Sequence, residues 1–514
     1  MTTEFSAASL RSPPATAGQE GLAPMAWSMS RPMCWFLIGV VFAIAIGLRQ
    51  VVPLNTDVSW LFVIGERMLD GQRLFRDIVE INPPMAPFAY LPGVALARFL
   101  GVDPRHVIDV QLLLLAAASL FAASRILRLS PATAPSMSGA FAVWAAAIVT
   151  ILPMHIFAQR EHIALLTALP ALAAYALRSN GEPLPLWAIL VAGVGAGITL
   201  AFKPFFVVPV AACILFAAIR SRSWRVLFAP ENIIAGVIVT SVSLGTYIFY
   251  SEYFTITYPL VRDTYLSWSM PANVIFLNDA TLIAATALVT VLLARQKSRP
   301  DPALLVAMLA SVGFAVSFFL QRRGWAYHSY PMVSLALLAM GYVLTSADGA
   351  QTRSRIFAAA SGLIMAAMLA FGMLWFNIQI HIGPIKEAIA GLKPHPRILM
   401  LSGEAALGHP LVRDVGGVWV SRQENLWLRV FTRLTREKTV VDAATDAKLN
   451  GYLALERQWL IEDFKKLPPD IILVDNLRDG WGAWVRADAE ITELFKPYRL
   501  VRSVEGVDIL QRTD

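Results

Sequence analysis

The sequence predicts a mainly α, polytopic membrane protein of about 11 transmembrane helices, with an extracytoplasmic C-terminal α/β domain. Three observations carry that expectation. The 514-residue chain is 56% hydrophobic and only 15% charged, with a mean hydropathy of +0.57. Apolar runs of roughly 17–25 residues recur, each long enough to cross a hydrocarbon core of about 30 Å. From about residue 378 the chain turns polar and stays so to Asp514.

Residues 1–32 are rich in Ala, Ser, Pro and Thr and read as a disordered cytoplasmic tail. Spans follow near 33–52, 106–127, 139–158, 162–178, 186–202, 204–220, 231–250, 275–294, 303–321, 329–346 and 356–377, so the membrane domain covers 33–377. The first run ends on Arg49-Gln50 with no small-residue cleavage site, as in a retained anchor. Basic residues set the orientation. Arg11 and Arg31, then Arg125 and Arg128, Arg178, Arg220, Arg222 and Arg225, Arg295, Lys297 and Arg299, and Arg353 and Arg355 fall in alternate connections. With these in the cytoplasm, the loop 53–105 and the domain 378–514 lie outside. This fits the inner membrane of a bacterial cell, and it explains the net charge of +7 without nucleic acid. Residues 85–100 are apolar but short, with internal prolines and Arg98, and read as an interfacial or re-entrant helix. Cys34 and Cys213 both fall in predicted spans, which speaks against a disulfide between them.

The stretch Asn55–Met85 concentrates the polar chemistry: Asp57, Glu66, Arg67, Asp70, Arg73, Arg76, Asp77 and Glu80 share one loop. Asn55-Thr56 suits the cap of a helix starting near Asp57, with Gly71 as its stop. Trp60, Leu61, Ile64 and Met68 fall on one face, as in a helix lying on the membrane. Residues 76–80 read as extended, and Asn82-Pro83-Pro84 starts the next helix. Glu66, Arg67, Asp70 and Arg73 read as ordinary solvated charge. Asp57 and Glu80 adjoin apolar sequence, where an unused carboxylate is costly, and are functional candidates together with Asp77 and Asn82.

Other outward connections add Gln159-Arg160-Glu161-His162, Lys203-Pro204, Tyr258 with Arg262, Asp263 and Tyr265, and Gln321-Arg322-Arg323-Gly324-Trp325-Ala326-Tyr327-His328. Outward Arg and Lys run against the positive-inside tendency, and an anionic ligand at the outer surface accounts for them. No HExxH, paired Cys/His spacing, Gly-rich phosphate loop or GxSxG elbow occurs, so the cofactor and any metal ligands stay unknown, a divalent cation being left open. His162 and His328 read more simply as hydrogen-bonded interfacial histidines, and the Gly193/Gly195/Gly197 series as close helix packing.

Asp57 after the first span, the segment Glu80-Ile81-Asn82-Pro83-Pro84 and the topology together resemble the GT-C-fold membrane glycosyltransferases, nearest the protein O-mannosyltransferases and lipid A aminoarabinose transferases. The resemblance covers roughly residues 33–330. One branch has Lys where Asn82 stands, and the second outer loop commonly has Asp where Glu161 stands. It implies a transferase taking a sugar from a polyprenyl-phosphate donor to an extracytoplasmic glycan, lipid or protein by inverting displacement. Asp57, Glu80 and Glu161 are then the catalytic candidates, and Arg160, Lys203, Arg322 and Arg323 the donor-phosphate ligands. Asp77, Asn82, His162, Trp325, Tyr327 and His328 are the substrate-binding candidates. Rival readings are a lipid-linked sugar transporter or flippase, a non-catalytic envelope-polysaccharide assembly protein, and a ligase using a pyrophosphate carrier. Spans almost free of internal charge speak against ion-coupled transport. The C-terminal domain, with strand-like runs at 397–401 and 470–475 and helices near 424–436 and 453–466, is expected to bind acceptor or support the site.

Overall fold

The computed structural model describes residues 29–131, 133, 138–294, 301–345, 355–438 and 440–513. Most of the predicted tail, together with Arg11, Arg295, Lys297, Arg299 and Arg353, lies outside the described residues.

Among the described residues, six helices are long and apolar enough to cross a membrane: α1 (Arg31–Val51), α5 (Pro104–Leu127), α7 (Arg160–Ser179), α10 (Pro230–Phe249), Pro302–Gln321 and Ile356–Phe376. Shorter apolar helices fill the remaining predicted spans: α6 (Gly139–Thr150), α8 (Leu186–Phe202), α9 (Val207–Arg220), Asp279–Ala294 and Tyr330–Thr345. This is a multi-pass membrane protein. α7 and Tyr330–Thr345 are buried almost all round, whereas α1, α5 and α10 turn large apolar side chains such as Trp35, Leu114 and Phe249 outward, as lipid-facing helices do. Two predicted spans are shorter than expected. The sixth helix stops at Thr150 and a 3₁₀ turn, Met154–Ile156, carries the chain to α7. The run at 275–294 breaks near Asn278, whose side chain accepts from Thr281 N and restarts the helix.

Glycines let α8 approach its neighbours. A Cβ on Gly195 would overlap the Thr167 carbonyl of α7, beside a 2.9 Å hydroxyl contact between Thr167 and Thr199. Gly195→Val is expected to cost about 1–3 kcal/mol or more. Thermal melts of the purified protein should show a lowered midpoint; an unchanged one would contradict this packing.

α2 (Thr56–Leu69) is capped by Asn55, which accepts from Val58 N, and it ends before Gly71 at φ 86°. Trp60, Leu61 and Ile64 do not lie on lipid as expected. They are buried because α2 is held between α4 (Leu91–Leu100) and the C-terminal domain. The predicted helix over 85–100 is two pieces, α3 (Met85–Phe88) and α4, separated at Ala89-Tyr90. Tyr90 hydroxyl donates to Ala158 O at 2.6 Å, and Arg98 pairs with Asp70 at 2.9 Å. Both ends of the segment thus stay at the same end of the bundle, and it does not cross.

The C-terminal region forms a five-stranded mixed sheet of order β2-β1-β3-β5-β4, from β1 (Arg397–Leu401), β2 (Val418–Trp419), β3 (Ile471–Asp475), β4 (Tyr498–Val504) and β5 (Val507–Arg512). β1 runs parallel to β2 and β3; β5 is antiparallel to β3 and β4. Helices Trp427–Lys438 and Ala443–Lys466 lie near their expected places. The β4–β5 hairpin was not foreseen: its burial pattern shows β4 largely exposed, so it lacks the apolar run that marks β1 and β3.

This sheet domain docks on the first loop. Arg413 forms a fork to Glu66 at 2.9 and 3.0 Å, Arg67 donates to Ser421 O at 2.8 Å, and Val79 pairs with Gln423 as an isolated parallel bridge. Residues 251–270 dock as well: Tyr452 hydroxyl donates to Asp263 at 2.8 Å, and Ser267 meets Thr435 at 3.0 Å. Ser130 with Glu182, Arg178 with Glu231 and Ser138 with Thr345 gather at the opposite end of the bundle. Single cysteines at exposed Asp77 and Glu505, with Cys34 and Cys213 replaced, are expected to react with an impermeant maleimide from one side, and one at Arg222 from the other. Labelling of all three from the same side would refute the topology. Asp475 is buried against Ser402 and is unsuitable for such labelling.

Candidate active site

The amino ends of α2 and α7 meet. Gln159 Nε2 donates to the capping Asn55 Oδ1 at 2.6 Å, which brings the first turns of both helices together. Asp57 projects from one and Arg160 from the other, forming an ion pair at 3.2 Å. Arg160 is 4% exposed, and only one guanidinium nitrogen is used: Nε and Nη1 are sealed from solvent without a partner among the described residues. Its surroundings are Asp57, Glu80, Glu161 and the Tyr327 ring, 5.9 Å away. A buried guanidinium with free donors is poised for an anion, and the positive end of the α7 dipole adds to it.

The next residue builds a second cluster. Lys203, at the carboxyl end of α8, donates to Glu161 Oε1 and to His328 Nε2, the latter at 2.9 Å. An ammonium has only donors, so His328 accepts at Nε2 and carries its proton on Nδ1. That Nδ1 and Glu161 Oε2 are likewise sealed without a partner among the described residues. Burial, then Lys203, Arg160 and Arg323, push His328 well below the usual histidine range, so the ring is neutral. Burial also lowers the Lys203 pKa, against the opposing pull of Glu161.

Glu80 is 2% exposed and fully bonded. Trp60 Nε1 donates to Oε2 at 2.8 Å, and Asn82 donates to Oε1 through its backbone at 2.8 Å and through its side-chain amide. Burial raises its pKa; Arg160 and these bonds oppose the rise. Glu80→Gln exchanges an acceptor for a donor against three donors. Turnover of the variant is expected to fall about 10²-fold, with near-normal expression; unchanged turnover would remove Glu80 from the site.

Of the other sequence candidates, Tyr327 borders both clusters, with Lys203 Nζ 5.5 Å from its ring centre. Arg323 lies over Tyr265 at 4.5 Å and donates to Trp268 O; Trp325 Nε1 donates to Tyr265 hydroxyl at 3.3 Å. Three candidates stand apart. Arg322 takes the left-handed conformation at φ 48°, which turns its exposed guanidinium to Met270 O. Asp77 is exposed and accepts from Arg73 N at 2.8 Å. His162 is buried between Phe157 and Tyr330, accepting from Ala158 N and donating to Val149 O at 2.9 Å, the bonding of a structural histidine. No group of three or more His, Cys, Asp or Glu among the described residues is arranged to hold a metal ion.

The C-terminal domain adds residues that sequence reasoning missed. Glu424 lies in the field of Asp57, Glu80, Arg160 and Glu404; burial and the three neighbouring carboxylates raise its pKa well above the usual range, against Arg160. His409 is wedged between Trp60 and Trp419, at 5.4 and 4.7 Å between ring centres, and so backs the indole that holds Glu80. Nothing local in the sequence singles out either residue.

This helix count, first loop and appended sheet have a solved counterpart. ArnT from Cupriavidus metallidurans bound to undecaprenyl phosphate superposes with a TM-score of 0.58 at 12% identity, over 94% of this chain and 98% of that one. The chain has the GT-C fold. The apo state of ArnT gives 0.57 at 13% identity over the same shares. No protein-family model and no curated protein matches the sequence. The likeness to ArnT is one of fold, and the resemblance read at Asp57 and Glu80-Ile81-Asn82-Pro83-Pro84 agrees with it.

Proposed function

We propose that the protein is a glycosyltransferase moving a sugar from a polyprenyl-phosphate donor to an extracytoplasmic acceptor, in the inner membrane of a bacterium with the first loop outside. The observation that carries this reading is Arg160: a buried guanidinium paired to Asp57 through one nitrogen and free at two others. A lipid phosphate placed on the free nitrogens puts the anomeric carbon beside Asp57. That ArnT, with the same fold, holds undecaprenyl phosphate supports the reading.

The chemistry follows. Asp57 takes the acceptor hydroxyl proton as its oxygen attacks the anomeric carbon from the face opposite the phosphate. The carbon–oxygen bond to phosphate breaks, and the polyprenyl phosphate leaves with the electron pair. Charge grows on its oxygens, where Arg160, with Lys203 and the His328 Nδ1 proton behind it, offers fixed donors out of water. One displacement inverts the anomeric centre. Glu80 holds the neighbouring loop in place. An open apolar groove of about 780 Å³ between the end of α2, α3 and α10, lined by Met68, Met85, Phe88, Val242 and Phe249, suits the polyprenyl chain. Arg73 at its rim pairs with Glu252 at 3.0 Å.

The test is direct. Purified protein in nanodiscs is given a panel of polyprenyl-phosphate sugars, and release of polyprenyl phosphate is scored with and without envelope glycans or lipids. Release with none of the donors would refute the proposal.

A further inference from the structure

The turn that delivers Arg160 is unusual twice over. It runs from Ile151 to Gln159, and every residue in it is buried, although connections ordinarily lie on the surface where water meets their backbone groups. It also holds two left-handed residues that are not glycine, Met154 at φ 43° and Ala158 at φ 68°. A Cβ makes that conformation costly, and neither Met nor Ala has the local side-chain hydrogen bond that lets Asn or Asp tolerate it. Such backbone persists only where its surroundings over-determine it.

The surroundings can be named. Arg49, near the end of α1, donates from Nη1 to Met154 O at 2.8 Å and lies over the Phe157 ring at 4.4 Å. Tyr90, at the break between α3 and α4, donates its hydroxyl to Ala158 O at 2.6 Å. Its ring is 1% exposed and tilted against Phe62 of α2, 6.0 Å between centres, which fixes the hydroxyl in place. Ala158 N donates to His162 Nδ1 at 3.2 Å. Each left-handed residue therefore has its carbonyl held by a side chain from another element. Beyond Ala158 only Gln159, tied to Asn55, precedes Arg160. A relaxation of Ala158 to an ordinary backbone conformation would swing those two residues, and the guanidinium with them.

We propose that Tyr90 is a positioning residue: by holding Ala158 in the left-handed conformation it aims Arg160, and so sets the affinity of the site for a phosphate-bearing lipid. Tyr90 is the deciding strut because its partner lies two residues from Arg160, whereas the partner of Arg49 lies six away. The lipid phosphate as ligand rests on the transferase reading; the holding of the turn does not.

Two small substitutions test it. Tyr90→Phe deletes one hydroxyl and keeps the ring. Ala158→Gly removes the cost of the left-handed backbone, so the turn needs the hydroxyl less. The full chain in nanodiscs is compared as parent, both single variants and the double variant. Amide hydrogen exchange over residues 151–163 reads the turn. Titration with polyprenyl phosphate, followed by tryptophan fluorescence, reads Arg160. Tyr90→Phe is expected to speed exchange in this segment about fivefold and to weaken lipid binding by a similar factor. Adding Ala158→Gly should bring both back to within about twofold of the parent. Tyr175→Phe is the control: it removes an equally buried hydroxyl, which donates to Asn232 at 2.9 Å at the other end of the bundle, and should change neither. A merely loosened core would not be rescued by glycine, which adds freedom to the unfolded chain. Unchanged exchange or unchanged lipid binding in Tyr90→Phe, no recovery with glycine, or an equal loss in Tyr175→Phe overturns the proposal. Exchange that quickens and recovers in a protein whose parent binds no polyprenyl phosphate keeps Tyr90 as the holder of the turn and refutes the transferase reading.

Discussion

Asp57→Asn is expected to abolish transfer, with kcat falling about 10³-fold or more while the protein reaches the membrane in normal yield. The amide keeps the shape and can still accept from Arg160, so the helix ends stay together, but it cannot take a proton from the acceptor. Release of polyprenyl phosphate by purified variant and parent, beside their thermal midpoints, measures both parts. Wild-type turnover in a well-folded variant would move the base to Glu161, whose Oε2 is free. The present geometry favours Asp57, because Lys203 already holds the other oxygen of Glu161.

The second large effect is at Arg160. Arg160→Ala removes the donors proposed for the lipid phosphate and leaves Asp57 facing Glu80 and Glu161 without its counter-ion. Asp57 is 30% exposed, so water takes up part of the lost pairing. Donor affinity is expected to fall about 100-fold and the melting midpoint to drop. Arg160→Lys should recover charge but not the planar fork, and hence only part of the affinity. Arg322→Ala is the control: its side chain is turned to Met270 O, so donor affinity should stay within about twofold. Equal losses in the Arg160 and Arg322 variants would refute this division of roles.

That contrast shows how far the sequence could be read. The Asn55 cap, the start of α2 and the Gly71 stop are local chemistry, and all were legible. So was the gathering of Arg160, Lys203 and His328, because alternation of spans put their loops at one end of the bundle. Arg322 and Arg323 are adjacent and look equivalent in sequence. Only the left-handed turn at Arg322 separates them, and no spacing rule announces a positive φ on an arginine. His162, next to two site residues, is turned by the helix into the core. Trp60 showed its apolar face but not what would cover it: the covering group, His409, lies in another domain. Glu424 was invisible for the same reason, being 367 positions from Asp57 with no motif around it.

The bridge between Val79 and Gln423 bears on biosynthesis. The residue before Glu80 is held by a strand partner made more than three hundred residues later, and the indole on Glu80 is backed by His409. A nascent chain that has already inserted its first helices therefore has no finished candidate site. Only when the last third has been synthesised and folded on the same face does the pocket close around Asp57. If the proposed transfer holds, chains truncated or stalled before that point would sit in the membrane and leave a polyprenyl-phosphate donor unconsumed.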